Sequence, residues 1–394
     1  MKISLNIILL NLLLLLLLSA CQAQAGIVTP ALAQPSPSSP PVSPAPTATP
    51  PPPTIIPIAP TIAPTPAPPS ATPTISPTLD TQPITTTLLF TGVIVPARCV
   101  QAALDTKGNP DYPYEEVRQI IQQADLAVGT FNATMSDQVE HTGCLDTYQL
   151  VGSPNNADAL ARAGFDVMSV ATNHIKDCGL MKSWCDETFF DTLRHLERVN
   201  IQTVGAGEDL AEALQPVIVT LNGVRFGFVS LGDSKMDEIV FASPQNPGIA
   251  RLTEENLKAA IEAVRPQVDV LIALPHWGSE SNAIPNWNQR TQAKQIVEAG
   301  ADLVVGNHTH VVQSIQELDG VPVFYGLGNF VFDQDWADHR QAVILLVNFL
   351  GKKYVGYELI PTHVNRDGRV HIAGPQEAQE ILRRIEQSSQ ALPK

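Results

Sequence analysis

The sequence predicts a layered α/β domain that follows a signal peptide and a proline-rich linker, and three observations carry this prediction. All but one of the 63 charged side chains lie at or after Asp80 in a chain of 394 residues. Twenty of the 34 prolines fall between Pro30 and Pro83. Beyond them, segments with helical spacing alternate with short apolar runs typical of buried strands. The last 300 or so residues are therefore long enough to bury a core.

The N-terminus reads as an export signal over residues 1–20. Lys2 supplies a positive charge, and Ile3–Leu18 is almost wholly aliphatic. An uncleaved membrane helix is the alternative, because the run approaches the length that spans a bilayer. The ending Leu18-Ser19-Ala20-Cys21 resembles a bacterial lipobox, in which Cys21 becomes a lipid-modified N-terminus. We therefore expect a lipoprotein anchored on the outer side of the bacterial cell membrane.

Residues 21–86 form a linker rich in Pro, Ser, Thr and Ala. Repeated proline favours polyproline II, and the segment has too little apolar surface to fold, so we expect a disordered stalk. A ligand for proline-binding modules is the alternative. The folded domain is expected over residues 87–375, followed by a helical tail over residues 376–394. The formal net charge of −15 argues against nucleic acid as a partner, because neutralising phosphates requires clustered Lys and Arg.

Four cysteines remain after Cys21, an even number in an oxidising compartment, and they allow three disulfide connectivities. Cys178 and Cys185 are close in sequence, which favours their pairing and leaves Cys99 for Cys144. A zinc site is the alternative, although the spacings lack the CxxC pattern of structural zinc.

Strands and helices follow one another along the domain. The predicted strands and helices, in chain order, are strand Thr86–Val95, helix Tyr114–Gln123, strand Leu126–Gly129, helix Ala157–Ala163, strand Asp166–Val170, helix Phe189–Val199, strand Gln202–Val204, strands Val217–Thr220 and Arg225–Leu231, helix Glu254–Val264, strand Val268–Ala273, helix Gln289–Glu298, strand Leu303–Val305, and the terminal strands Val312–Gln316, Val321–Tyr325, Ala342–Phe349 and Tyr354–Pro361. Asn222-Gly223 is a strong hairpin-turn signal. Alternation predicts a layered sheet, and the β-rich end suggests a second sheet packed on the first.

Polar residues follow several strands, where α/β sheets place their sites. Asn173-His174, His276 and the segment from Asn307 to His310 each come after a predicted strand, and Arg98 follows the first one. A lone histidine is usually structural, but three strand ends that deliver histidine indicate convergence on a metal such as Zn, Mn or Fe.

Four ordered segments carry a family resemblance: VMSVATNHIKDCG, LPHWGSE, AGADLVVGNHTHVVQ and YGLGNFVFDQ. They resemble the signatures of the CapA-type capsule, or poly-γ-glutamate, synthesis proteins, and the resemblance runs from about Leu88 to about Phe349. It implies a calcineurin-like metallophosphatase fold, a four-layer α-β-β-α sandwich with a metal-centred site at the strand ends.

The resemblance also implies roles for residues. Asn173, His276, His308 and His310 would be metal ligands. His174 would be the adjacent catalytic acid. If the protein is a hydrolase or transferase, we expect Arg98 to hold an anionic part of the substrate. The residues that would shape the pocket are Trp277, Gly328 and Asn329.

The sequence departs from the family pattern at two acidic positions. The family's first strand usually ends Gly-Asp, whereas here Gly92 precedes Val93. Its next strand usually ends Asn-Leu-Glu, whereas here the aligned residues are Thr130-Phe131-Asn132. Without those carboxylates, one divalent ion is expected rather than two, or none at all. Asp177 and Asp233 are possible substitutes.

Two functions follow from this pattern. The first is a metal-dependent hydrolase or transferase that acts on an anionic polymer, such as poly-γ-glutamate or a polysaccharide. The second is a degenerate member that binds or organises such a polymer without turnover. An ordinary nucleotide phosphoesterase is a third reading.

Overall fold

The computed structural model describes residues 84–179, 184–233 and 235–393. The expected signal peptide, Cys21 and nearly all of the proline-rich linker lie outside these residues. Within the described ranges, no helix combines the length and apolar character needed to cross a bilayer.

The first of two large sheets has eight strands in the order β19-β18-β17-β1-β2-β5-β6, with β16 beside β1. Numbered in chain order, they are β1 (Thr85–Ile94), β2 (Leu126–Phe131), β5 (Val167–Ser169), β6 (Gln202–Val204), β16 (Asn329–Val331), β17 (Gln341–Leu350), β18 (Lys353–Val364) and β19 (Val370–Ile372). The pairs β1–β2, β2–β5 and β5–β6 are parallel, whereas the pairs β1–β17, β17–β18 and β18–β19 are antiparallel. The parallel half of this sheet therefore directs its C-terminal ends to one edge.

The second sheet has seven strands in the order β11-β9-β12-β13-β15-β14, with β8 beside β9. They are β8 (Val217–Leu221), β9 (Val224–Asp233), β11 (Arg251–Leu252), β12 (Val270–His276), β13 (Leu303–Val305), β14 (Ile315–Leu318) and β15 (Val321–Phe324). Two further pairs are β3 (Thr134–Met135) with β4 (Val151–Gly152) and β7 (Ala206–Gly207) with β10 (Gly248–Ile249). Strands β8 and β9 form the hairpin predicted from Asn222-Gly223, and both turn residues have positive φ, as a type I′ turn requires.

The α-helices of the described ranges lie outside the two sheets, apart from the last. They are α1 (Cys99–Lys107), α2 (Arg118–Gln122), α3 (Asn155–Ala163), α4 (Asp186–Arg198), α5 (Leu210–Ala213), α6 (Glu254–Val264), α7 (Trp287–Glu298) and α8 (Pro375–Gln390). Short 3₁₀ turns occur at Tyr112–Tyr114, Glu238–Val240 and Arg265–Gln267.

Three buried apolar clusters divide the domain into layers. One lies between the sheets and joins side chains such as Phe90 of β1 and Phe228 of β9. A second packs α1, α3 and α4 on the outer face of the first sheet, and a third packs α6 and α7 on the outer face of the second. A hydrogen bond of 2.8 Å between the Ser169 and Ser230 hydroxyls also joins the sheets. The predicted four-layer α-β-β-α sandwich is therefore confirmed.

Two expectations about elements need correction, and one helix was not predicted. The terminal strands do not form a second sheet: β14 and β15 complete the sheet that starts at β8, whereas β17 to β19 return to the first sheet and pair with β1. Strand β17 is buried on both faces over most of its length, as an interior strand must be. The predicted helix Tyr114–Gln123 is a 3₁₀ turn followed by the short α2, and α1 was not predicted.

Candidate functional site

The C-terminal ends of parallel strands from both sheets meet at one edge, and they supply the candidate site. Asn132 follows β2, and Asn173 and His174 lie in the loop after β5. From the second sheet, β12 ends at His276 and the loop after β13 carries His308. Because the sheets are packed face to face, these loops converge at the mouth of the sandwich.

Two imidazoles and one amide form the centre of the site. The Nε2 atom of His276 lies 3.2 Å from Nδ1 of His308 and 3.1 Å from Oδ1 of Asn173. The two rings meet edge to face with centroids 4.8 Å apart. The Nδ1 atom of His276 is buried without a hydrogen-bond partner among the described residues. The structure thus brings together three of the four predicted ligands.

Burial keeps these imidazoles neutral. It lowers the pKa of His276 well below its ordinary value, and neighbouring imidazoles lower it further. Burial, followed by the effect of His174, lowers the pKa of His308 to about 4. Burial and the nearby His308 lower the pKa of His310 to about 3. Neutral imidazoles keep a lone pair, which is the form that binds a metal or accepts a proton.

His310 lies apart from this centre. Its Nδ1 is 2.8 Å from Oδ1 of Asn329, and its Nε2 faces Glu280 at 3.9 Å. Among the residues that the structure describes, no group of three or more His, Cys, Asp or Glu side chains is arranged to hold a metal ion. The expected convergence of all three imidazoles is therefore not seen.

The backbone that carries these histidines is strained. His308 has φ +105° and His310 has φ +62°, both in the region that side chains other than glycine rarely adopt. Such conformations persist only where surrounding contacts hold them, and they cluster at functional sites.

The two positions that the resemblance predicts to be acidic hold Val93 and Asn132. Val93 and Phe131 are fully buried members of the apolar cluster on the outer face of the first sheet. Asn132 is also buried, and its Oδ1 accepts the main-chain N–H of His174 at 3.2 Å. Its role is thus to hold the loop that carries His174, a role that the sequence analysis did not assign.

His174 is paired with a buried carboxylate. Oδ2 of Asp177 lies 2.8 Å from Nδ1 of His174 and also accepts the N–H of Leu150 at 2.7 Å. Asp233, the other possible substitute for the missing acids, accepts the main-chain N–H of Lys235 at 3.1 Å. Both carboxylates line the cleft, but neither joins the imidazole pair.

The structure contains the two disulfides that the sequence analysis favoured, Cys99–Cys144 and Cys178–Cys185. The second joins Cys178, the residue after Asp177, to Cys185 at the start of α4, so it ties the chain beside this carboxylate to that helix. The first joins the start of α1 to the loop that leads to Tyr148.

Arg98 is held by an acid of the protein itself. Its Nε lies 3.1 Å from both carboxylate oxygens of Asp333, its Nη1 donates to the carbonyl of Thr147 at 2.8 Å, and its guanidinium stacks on Phe332. Binding of an anionic substrate by Arg98 stays a prediction, and it would require this guanidinium to exchange Asp333 for the substrate.

The three residues expected to shape the pocket lie behind it. Trp277 is fully buried, stacks on Tyr325 and donates its indole N–H to that residue's carbonyl at 2.9 Å. Gly328 has φ +83°, and a Cβ there would meet the carbonyl of Gln341 at 2.5 Å. Asn329 orients His310 through the contact described above.

A cleft of about 420 Å³ opens at the centre and is lined by Asn173, His174 and His308. Its wall also includes Tyr148 and Trp184, which the sequence analysis did not select because neither follows a strand end. For Asp177, the spacing of four residues from Asn173 was visible, but it did not distinguish a partner of His174 from a loop residue.

Comparison with known proteins gives matches over most of the domain. A family model described as "Bacterial capsule synthesis protein PGA_cap" matches residues 87–334. The PGA biosynthesis protein CapA of Bacillus subtilis is 29% identical over 278 residues, which cover 70% of this chain and 71% of that protein. The capsule biosynthesis protein CapA of Bacillus anthracis is 25% identical over 304 residues, or 76% and 72% of the two chains. The crystal structure of a phosphatase from Mycoplasma pneumoniae superposes with a TM-score of 0.41 at 12% identity and covers 71% of this chain and 94% of that one.

Proposed function

The chain belongs to the PGA_cap family of bacterial capsule synthesis proteins, and on this premise we propose that it acts in the synthesis or processing of a capsule or poly-γ-glutamate polymer outside the cytoplasm. The observation that carries the proposal is the family match, which includes every residue of the central imidazole and amide group. The similarity of the two CapA proteins over about seven tenths of each chain supports the same reading.

For the chemistry, we propose general acid–base catalysis by His174. Asp177 is buried and holds Nδ1 of His174, which leaves Nε2 as the ring nitrogen available to the cleft. A carboxylate in this position fixes the tautomer and orientation of an imidazole. His174 would then give a proton to, or take one from, a substrate group at Nε2.

The donor set fits one metal ion and does not fit two. Paired dications need carboxylates that neutralise and bridge them, and the central group has none. Asn173, His276 and His308 offer two neutral imidazole nitrogens and an amide oxygen, which suit a single transition-metal ion. When bound, such an ion would polarise a substrate oxygen or lower the pKa of water.

The test is genetic complementation with the full chain in a strain that lacks the gene and no longer makes the polymer. His174→Gln should reduce the polymer on cells by about 10²-fold or more at an unchanged protein level. Asp177→Asn should cause a smaller loss, because the imidazole remains but is no longer oriented. Trp287→Ala, on the exposed start of α7, is the matched control and should complement fully.

A second candidate function is a polymer-binding scaffold without turnover. It is favoured by the two buried positions where the resemblance predicts acids, because Val93 and Asn132 stand there and neither can supply a carboxylate ligand to a metal. Full complementation by His174→Gln would exclude acid–base catalysis and leave the scaffold. Metal analysis of the purified chain adds an independent readout: a stoichiometric transition metal that His308→Ala removes would support the single-ion site.

We propose further that the domain is anchored to the outer side of the cell membrane through a lipid on Cys21. The sequence Leu18-Ser19-Ala20-Cys21 supports this. The disulfides are also in keeping with it, because such bonds persist in oxidising compartments.

A further inference from the structure

The cleft at the candidate site continues into a second cavity. The site cleft of about 420 Å³ and a neighbouring cavity of about 470 Å³ share Tyr148 and Glu280 in their walls. Together they form one groove that runs from His174 and His308, past Tyr148, to Trp336. This groove, which we call the aromatic groove, is larger than an acid–base pair alone requires, and its size is that of a site for an extended ligand.

Three aromatic side chains stand exposed along the groove. Tyr148 is 86% exposed, Trp336 is 65% exposed and Trp184 is 37% exposed. Large rings usually bury most of their surface, so several exposed rings in one concavity mark a binding surface. Their faces are suited to stack on sugar rings and to attract cations.

The groove is acidic. Among the described residues that line the two cavities, seven carry a carboxylate and three carry a cationic group. One of the three cations, Arg98, is held by Asp333. Carboxylates that line the groove include Asp237 in the site cleft and Glu280 at the junction. Asp335, next to Trp336, is paired with Arg340 at 3.3 Å.

This charge balance selects among ligands. A poly-γ-glutamate chain carries one carboxylate per residue and would be repelled by a wall of net negative charge. A chain that carries ammonium groups would be attracted by the same wall, and ammonium groups over exposed rings gain a cation–π contribution.

We propose that the aromatic groove binds a glycan that carries free amino groups, with its sugar rings on Tyr148 and Trp336 and its ammonium groups on the neighbouring carboxylates. The inference rests on the proposed function only in that both use the cleft at His174, and it adds a cationic partner to that function.

The test is a binding titration of the purified full chain, in which calorimetry and tryptophan fluorescence measure the binding. The probes are a glucosamine hexamer, the same hexamer fully N-acetylated, hexa-γ-glutamate and hexalysine. We expect the glucosamine hexamer to bind at least tenfold more tightly than the acetylated one, to weaken severalfold between 50 and 300 mM NaCl, and to bind more tightly than hexalysine. Hexa-γ-glutamate should bind at least tenfold more weakly than the glucosamine hexamer.

Three results would overturn the proposal. Equal binding of the two sugar hexamers would remove the role of the amine, and equal or tighter binding of hexalysine would remove the role of the sugar. Binding of hexa-γ-glutamate at the affinity of the glucosamine hexamer would remove the charge argument altogether.

Substitutions locate the site. Trp336→Ala and Asp237→Asn should each weaken binding of the glucosamine hexamer about fivefold or more, and both change exposed side chains, so folding is preserved. Trp287→Ala removes an equally exposed tryptophan, 69% accessible, that lines neither cavity, and should leave the affinity unchanged. Equal effects of the two tryptophan substitutions would place the ligand elsewhere. Complementation measures the proposed function separately, so normal polymer with no glycan binding would reject only this inference.

Discussion

Asp177 shows how one buried side chain organises the candidate site. Its carboxylate holds Nδ1 of His174 and the N–H of Leu150, while its carbonyl accepts the hydroxyl groups of Thr134 and Thr188. These four contacts tie the loop after β5 to β3, β4 and the first turns of α4. The orientation of His174 is consequently set by the fold before any ligand arrives.

At the scale of single residues, His339 should make stability depend on pH. It is buried, its Nε2 lies 3.0 Å from the Ser281 hydroxyl, and burial lowers the pKa of His339. On acidification the unfolded chain therefore takes up a proton first, so the stability is complete above about pH 6.5 and is lost as the pH falls toward the folded-state pKa.

His339→Gln should flatten this dependence by at most about 1.4 kcal/mol per pH unit. The free energy of unfolding, measured in urea at pH 7.5, 6.5 and 5.5, checks it. An unchanged difference between pH 7.5 and 5.5 would show that His339 does not contribute to the pH dependence of stability.

The central pair of His276 and His308 followed from the positions of strand ends, because parallel strands bring their C-terminal ends to one edge. The separate setting of His310 did not follow, because it depends on Asn329, nineteen residues away in β16. The Arg98–Asp333 pair joins residues 235 positions apart, so local spacing could not predict it either.

At the scale of elements, α8 closes the edge of the layer between the sheets. Ile381 and Ile385 belong to the apolar cluster shared by both sheets, and the Ser389 hydroxyl accepts the N–H of Ile315 in β14 at 2.8 Å. Ile381→Ala should lower the free energy of unfolding by about 2–4 kcal/mol, as expected for a fully buried isoleucine.

Leu382→Ala is the matched control for α8. Leu382 is the next residue on the same helix but is 39% exposed, so its truncation should cost less than about 1 kcal/mol. Urea denaturation of both variants makes the comparison, and equal losses would mean that α8 does not insert as described.

The two disulfides should stabilise the domain to different extents. Cys99–Cys144 closes a loop with a sequence separation of 45, and Cys178–Cys185 one of 7. Loop-closure entropy predicts losses of about 4 and 2.5 kcal/mol when each pair is replaced by serine. The unfolding free energies of the two double variants test this order, and a larger loss for the short loop would contradict it.

Elements with a strong local signal were predictable, whereas their placement was less so. The hairpin at Asn222-Gly223 depends on two turn residues, and α6 on apolar spacing within eleven residues. The assignment of β17 to the first sheet depends on pairing with β1, in which Phe90 lies opposite Leu345. Pairing between strands so far apart in the chain cannot be predicted from the sequence of either strand alone.

At the scale of the whole molecule, the proposed lipid anchor on Cys21 predicts where the chain is found. The full chain should fractionate with membranes and enter the detergent phase of a Triton X-114 separation, since two or more acyl chains give stable attachment. Cys21→Ser should move it to the aqueous phase. Detergent partitioning that survives this substitution would indicate an uncleaved membrane segment instead.

The position of β1 has a consequence for the order in which the domain is made. It is the first strand of the domain, yet it lies in the interior of its sheet, and one of its edges pairs with β17, which begins at Gln341. A ribosome that adds 5–20 residues per second needs roughly 12–50 s to travel from the end of β1 to that partner. Throughout that interval an apolar strand with an open edge is a template for wrong pairing. We therefore expect β1 to be protected by a chaperone until β17 has been synthesised.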